Sequence, residues 1–348
     1  MRGILKQFIV LTALSFGLWG CKEHQHDAVD VHINKGKGVF IVNEGTFTMG
    51  NASLNYINLE NDSQYAAADV FKQANNRPLG DVFQSMTMVD GKAWLVVNNS
   101  GKIEIIDPET CLATNTIKGL KSPRYILEVT PGVLYVSDLY QNAIHIIDAK
   151  THSITGKIPC HGWTETMVLN NGKVWVTNHN SNFIYKINPL SHVIEDSTKL
   201  AWGGSSVMAG NDGKLWVLCS GEQLKSKTGG LFSINPQTGK VMDKWLFTDP
   251  AFNPIKLHET AGGDSLLFIY NGIYKISKSN LSLPAAPFIS QPKGASFYGL
   301  AIRPVTGELF VADAGDYVSK GKIYIYKPGG QLIKSYVAGI TPSDFLFW

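Results

Sequence analysis

From residue 38 to the C-terminus the hydrophobic positions follow no sustained helical period. They come in short β-branched and aromatic runs bounded by tight-turn residues, a pattern that predicts strands joined into meanders. The clearest copy reads Gly172-Lys173-Val174-Trp175-Val176-Thr177-Asn178, then a loop, then Ile184-Tyr185-Lys186-Ile187-Asn188-Pro189. An aromatic returns at one place in every copy, as Phe40, Trp94, Tyr135, Trp175, Trp216, Phe268 and Phe310. A companion phrase follows each time: Leu54–Ile57, Ile103–Ile106, Ile144–Ile147, Ile184–Ile187, Leu231–Ile234, Ile273–Ile276 and Ile323–Tyr326. Copies start roughly 40 to 53 residues apart, the length of one four-stranded blade. Between strands, Asp90-Gly91, Asn171-Gly172 and Asp212-Gly213 suit hairpin turns that need positive φ. Asp107-Pro108-Glu109-Thr110 and Asn235-Pro236-Gln237-Thr238 suit type I turns.

Seven copies of one unit predict an all-β, seven-bladed β-propeller over residues 36–348. Six inner strands are expected at Val82–Val89, Tyr125–Val129, Thr164–Leu169, Ser206–Ala209, Leu257–Thr260 and Tyr298–Ile302. The seventh is displaced to the chain end: Ser343-Asp344-Phe345-Leu346-Phe347-Trp348 has the inner-strand pattern, and Val39–Asn43 lacks a predecessor. Pairing the C-terminal strand with the N-terminal blade closes the ring and removes its open edges.

The first 20 residues change the picture, because they read as an address. Met1-Arg2-Gly3-Ile4-Leu5-Lys6 is a basic start, Phe8–Trp19 is too short to span a bilayer, and Leu18-Trp19-Gly20-Cys21 resembles a lipobox. Residues 1–20 are therefore expected to be a signal peptide, with Cys21 lipidated, and 21–35 a flexible tether carrying His24, His26 and His32. Cys111, Cys160 and Cys219 remain, an odd number without metal spacing, so at least one free and buried thiol is expected. The chain has 31 basic and 28 acidic residues, a net +3 that falls to +1 without Arg2 and Lys6. No basic run is present, which argues against nucleic acid.

Candidate chemistry follows from the loops. One face carries minimal turns, whereas the other collects Glu44–Asn51, Asn98–Gly101, Asp138–Asn142, His179–Asn182, Ser220–Gly229, Asn271–Gly272 and Ala314–Gly321, together with the links between blades. Function tends to sit on such loops. Candidate aromatic walls are Tyr125, Trp163, Trp202 and Tyr298, with Arg77 and Arg124 for a phosphate or amides and Asn98, Tyr140 and His179 at the rim. Glu44, Phe47, Gln84, Glu165, Ser206 and Tyr317 complete the expected ligand-binding set. Rings with amide and hydroxyl tips suit a broad, flat ligand fringed with neutral hydrogen-bonding groups. No HExxH, GxSxG or sequence-obvious nucleophile and base accompanies them, so a binding protein without catalytic residues or a required cofactor is expected. Two alternatives stay open. One is a metal-dependent lactonase or lyase, with Asn43, Asp138, Asn178, Asn271 and Asp313 as oxygen ligands beside Glu44; the other is a docking scaffold without a small ligand.

The opening Gly38-Val39-Phe40-Ile41-Val42-Asn43-Glu44-Gly45, the Gly50-Asn51-Ala52-Ser53-Leu54 after it, and the repeated Trp-Val and Ile-Asp/Asn-Pro phrases resemble the YncE-like (DUF5074-type) propeller lipoproteins of Bacteroidetes. Within that group the chain looks most similar to the BtuG cobalamin-binding surface lipoproteins. That resemblance implies cobalamin or another corrinoid as ligand, a TonB-dependent outer-membrane transporter as partner, and a lipid-anchored place at the outer membrane, on the cell surface, with the periplasmic face as the alternative. It transfers no individual ligand contact.

Overall fold

The computed structural model describes residues 31–60 and 68–348. The signal sequence and Cys21 lie outside them. Among the described residues the strands form six four-stranded meanders and one three-stranded sheet that draws strands from both chain ends. The inner strands Phe83–Val89, Pro123–Thr130, Thr164–Asn170, Gly204–Ala209, Ile255–Glu259, Phe297–Ile302 and Pro342–Phe347 touch in that order, and the last touches the first. Seven blades therefore close into a ring around one axis.

Both chain ends make the closure. Pro342–Phe347 runs antiparallel to Gly38–Asn43, with Ile41 opposite Phe345 and Val39 opposite Phe347. Gly38 and Trp348 exchange backbone hydrogen bonds of 2.9 Å in both directions.

The repeated aromatics explain why the units stack. All seven are at most 2% exposed. They sit in clusters that join neighbouring blades: Trp94 with Leu134 and Val136, Trp175 with Leu215 and Val217, Trp216 with Leu266 and Phe268. Each buried ring contributes roughly 1.5–3 kcal/mol that a lone blade would forgo.

Several local features differ from the sequence expectation. A short helix, Val70–Asn75, packs beside the strand Ser53–Asn58 on the outer side of the closing blade. Asp69 caps it by accepting the Lys72 N–H, and Asn76 ends it in the left-handed region at φ 50°. Six residues are too few to register as a helical period. The last part of the expected tether is docked: Val31 and Ile33 are buried, and the Ile33 N–H donates to the Glu109 carbonyl at 2.7 Å. Asp212-Gly213 is not a hairpin turn with two positive φ values, because only Gly213 has one, whereas both residues do in Asp90-Gly91 and Asn171-Gly172. Finally, in the blade that starts at Ile255 the outer strand shrinks to Ile289–Ser290. Pro284 and Pro287, which cannot donate to a ladder, occupy the connection before it. No helix among the described residues is long and apolar enough to cross a membrane.

Cys111, Cys160 and Cys219 are all free and buried. Burial pushes each thiol up to about 12, so they behave as small hydrophobes.

Candidate functional site

Every inner strand breaks register with its neighbour near the end that meets the loop-rich face, and Pro123–Thr130 does so again at its far end. The extra residue is Gln84, Ser205, Tyr298 and Ser343 in four blades, and lies within Arg124-Tyr125, Glu165-Thr166 and Lys256-Leu257 in the other three. A β-bulge re-aims side chains and frees them from the ladder. Repeated seven times around an axis, it gathers one ring of mostly polar residues at the channel mouth.

Arg124 is the centre of this ring. Its Nε lies 3.1 Å from both carboxylate oxygens of Glu165, its Nη1 donates to Gln84 Oε1, and its guanidinium lies 5.8 Å from the Tyr125 ring centre. Three consecutive inner strands are joined by these contacts. Burial opposes its charge, but Glu165, Tyr125 and Glu44 outweigh that and hold the guanidinium firmly protonated. Lys256 stands in the same field. Burial opposes its charge too, yet Tyr125, Asp344 and Glu44 raise its affinity for the proton. Glu44 follows the second strand of the closing blade and receives the Tyr298 hydroxyl at 3.4 Å. Burial raises its carboxyl above the usual range, against the pull of Arg124 and Lys256. The Glu44 charge and burial together push Tyr298 well above an ordinary phenol. Burial and then Lys256 bring His258 down to about 4, so it is a neutral imidazole at neutral pH.

Aromatic residues form the next layer. Trp163 stacks on His179 at 6.2 Å and 13°, and Tyr140 meets it edge-on at 5.8 Å and 86°. On the opposite side Tyr317 packs edge-on against Tyr298 at 5.5 Å and shares a 2.8 Å hydrogen bond with Ser296 Oγ. Tyr140, Tyr317 and Phe47 are 51%, 43% and 66% exposed.

The expected residues thus divide. Gln84, Arg124, Tyr125, Glu165, Glu44 and Tyr298 come together in the ring, with Ser206 beside the extra Ser205 and accepting the Leu257 N–H at 3.4 Å. Tyr140, Trp163, His179, Tyr317 and Phe47 surround it. Asn98 is buried and donates to Ser122 Oγ and the Pro123 carbonyl, fastening one blade to the next. Arg77 is held in a bidentate pair with Glu104 on a third strand and lies over Phe71 of the short helix, away from the ring. Trp202 lies under the Lys225 ammonium at 5.6 Å. Lys256, Asp344 and Ser343 belong to the ring and were not among the expected residues. Placing the seven bulges in register would have found them.

The strand-end Asn and Asp side chains have a local task. Asp138 accepts from Ser122 and Tyr140, Asn178 from Trp163 and Asn180, Asp313 from Ser296 and Gly315, all backbone N–H groups. Each ties the incoming link to the loop beyond the strand, so the loops are pre-set. Among the described residues no three His, Cys, Asp or Glu side chains converge on a metal position.

A closed ring of seven blades, six of four strands and one of three strands drawn from both chain ends, with loops and inward side chains gathered at one mouth, defines a β-propeller. More specifically, the chain belongs to the family described as "Domain of unknown function (DUF5074)", whose model matches residues 37–341. No curated protein matches it significantly. Among solved structures it is similar to a quinonprotein alcohol dehydrogenase-like protein from Bacteroides thetaiotaomicron, at 20% identity and TM-score 0.69, covering 90% of this chain and 78% of that one. The extracellular domain of a putative one-component system from B. thetaiotaomicron gives 17% identity and TM-score 0.58, over 87% of this chain and 46% of that one. Dihydro-heme d1 dehydrogenase NirN in complex with DHE gives 10% identity and TM-score 0.56, over 91% and 77%. At these identities the likeness is one of fold.

Proposed function

We propose that the chain is an exported, lipid-anchored binding protein whose loop-rich mouth holds a broad, amide-fringed disc of the corrinoid class and passes it to a TonB-dependent transporter in the outer membrane. The observation that carries this reading is the ring of bulges: each blade sends polar or aromatic side chains to one mouth. A corrin is a disc edged with amides, and Gln84, Ser205, Tyr298 and Ser343 are partners for such an edge. Trp163 with His179, and Tyr140 and Tyr317 above the ring, supply apolar walls at low entropic cost. Arg124 and Lys256 offer cationic donors for a phosphate, and Lys256 is the better placed, because Glu165 already engages Arg124. Loops pre-set by Asp138, Asn178 and Asp313 lower the ordering cost of binding. A propeller of similar fold, the dihydro-heme d1 dehydrogenase, is described in complex with DHE, and a second neighbour is an extracellular domain.

The test is equilibrium dialysis of the purified protein against cyanocobalamin, haem and a panel of glycans, read by absorbance. Retention of the corrinoid alone supports the reading. Retention of a glycan or of nothing overturns it.

A further inference from the structure

Apart from the mouth, a cavity of about 350 Å³ opens at the outer edge of the loop-rich face, between the blades that start at Gly204 and Ile255. It exists because the second of these blades is incomplete. Its outer strand is only Ile289–Ser290, and the connection before it climbs the side of the blade, bringing Leu283 to the cavity wall. Trp245, near the end of the strand Val241–Leu246, Phe247 and Phe252 on the link, and Tyr270 after the strand Ser265–Ile269 form the remaining apolar wall. The rings meet edge to face: Trp245 and Phe247 at 4.8 Å and 74°, Phe247 and Phe252 at 4.6 Å and 80°, Phe252 and Tyr270 at 4.2 Å and 62°. Such packing fixes the rings without help from a ligand.

The polar part of the lining is small and of one sign. Thr248 adds a hydroxyl and Asp249 a carboxylate, and no Lys, Arg or His faces them from the lining. Asp249 Oδ1 accepts the Ala251 N–H at 2.8 Å, which orients the carboxylate and leaves Oδ2 over.

We propose that this cavity binds a small organic cation, a quaternary or alkylated ammonium group. Aromatic faces attract such a cation through their quadrupoles, and a carboxylate adds a charge partner. The volume suits a head group of that size. An anion would meet the Asp249 charge with no compensating base. A sugar ring would bury several hydroxyls against one hydroxyl and one carboxylate, leaving the rest unpaired. The pocket draws on none of the ring residues at the mouth, so it stands or falls separately from the corrinoid reading.

The experiment is calorimetric titration of the purified protein with choline and with its neutral isostere 3,3-dimethylbutan-1-ol. Choline is expected to bind saturably and about tenfold more tightly than the alcohol, since only the charge differs. Asp249→Asn, an exposed and conservative change, should erase most of that preference, and Trp245→Leu should weaken choline about fivefold or more. Equal binding of the alcohol would make the cavity merely apolar and overturn the proposal. So would choline binding that neither variant changes, or no saturable binding of choline.

Discussion

Glu44 carries a cost that the rest of the ring only partly offsets. Its carboxyl is buried among Arg124, Lys256 and Tyr298, and burial wins, leaving its proton affinity raised. A group raised in the folded state stabilises the fold below its unfolded pKa and loses that contribution as pH climbs through the folded value. Glu44→Gln should therefore raise the melting temperature at about pH 8, and the gain should vanish towards about pH 4. A variant less stable than the parent at pH 8 would mean that the cations outweigh burial. At this scale the sequence was legible where a residue type stood out. Arg124, Tyr125, Glu165 and Tyr298 were recognisable as polar or aromatic residues at strand starts. Lys256 and Asp344 were not, because what marks them is their place beside a register break, at Lys256-Leu257 and next to Ser343, and not their residue type. Arg77 shows the converse: its long side chain reaches Glu104 on the third strand of the blade, a contact no local pattern foretells.

Strands and their ends were the most legible part. A ring aromatic recurs once per blade because each blade must bury one face against its neighbour, and that constraint writes itself into the sequence at a regular spacing. Closure was readable for the same reason, since a second strand without a first demands a partner from elsewhere. It is also testable. Phe345 is 9% exposed and packs edge-on against Phe310 at 5.9 Å, so Phe345→Ala should cost about 3 kcal/mol in denaturant unfolding. Deleting Ser343–Trp348 should cost more, because it also strips the ladder from Gly38–Asn43. Unchanged unfolding midpoints in both would show that the ring holds without its C-terminal strand. The helix Val70–Asn75 and the shortened strand Ile289–Ser290 were invisible beforehand: each replaces a strand where packing and proline chemistry, not periodicity, decide.

For the whole molecule, the two faces differ in what they present. Val31 and Ile33 dock beside the Asp107–Thr110 turn, on the face of minimal turns. Residues 31–33 therefore meet the propeller opposite the mouth. In the proposed anchoring, Cys21→Ser should release a folded protein into the soluble fraction, whereas a variant that stays with membranes after a salt wash would contradict a lipid anchor. In the proposed complex the mouth spreads its contacts over several blades, and binding energy distributed in this way has a signature. A single truncation weakens the complex, and only truncations from several blades abolish it. Calorimetric titration with cyanocobalamin of the parent, of Trp163→Ala, and of Trp163→Ala combined with Tyr298→Ala tests this most directly. The account predicts one saturable site in the parent, a loss of roughly 1–3 kcal/mol for Trp163→Ala, and no measurable binding for the pair. No heat in the parent with cyanocobalamin, or identical affinities in all three proteins, would contradict it.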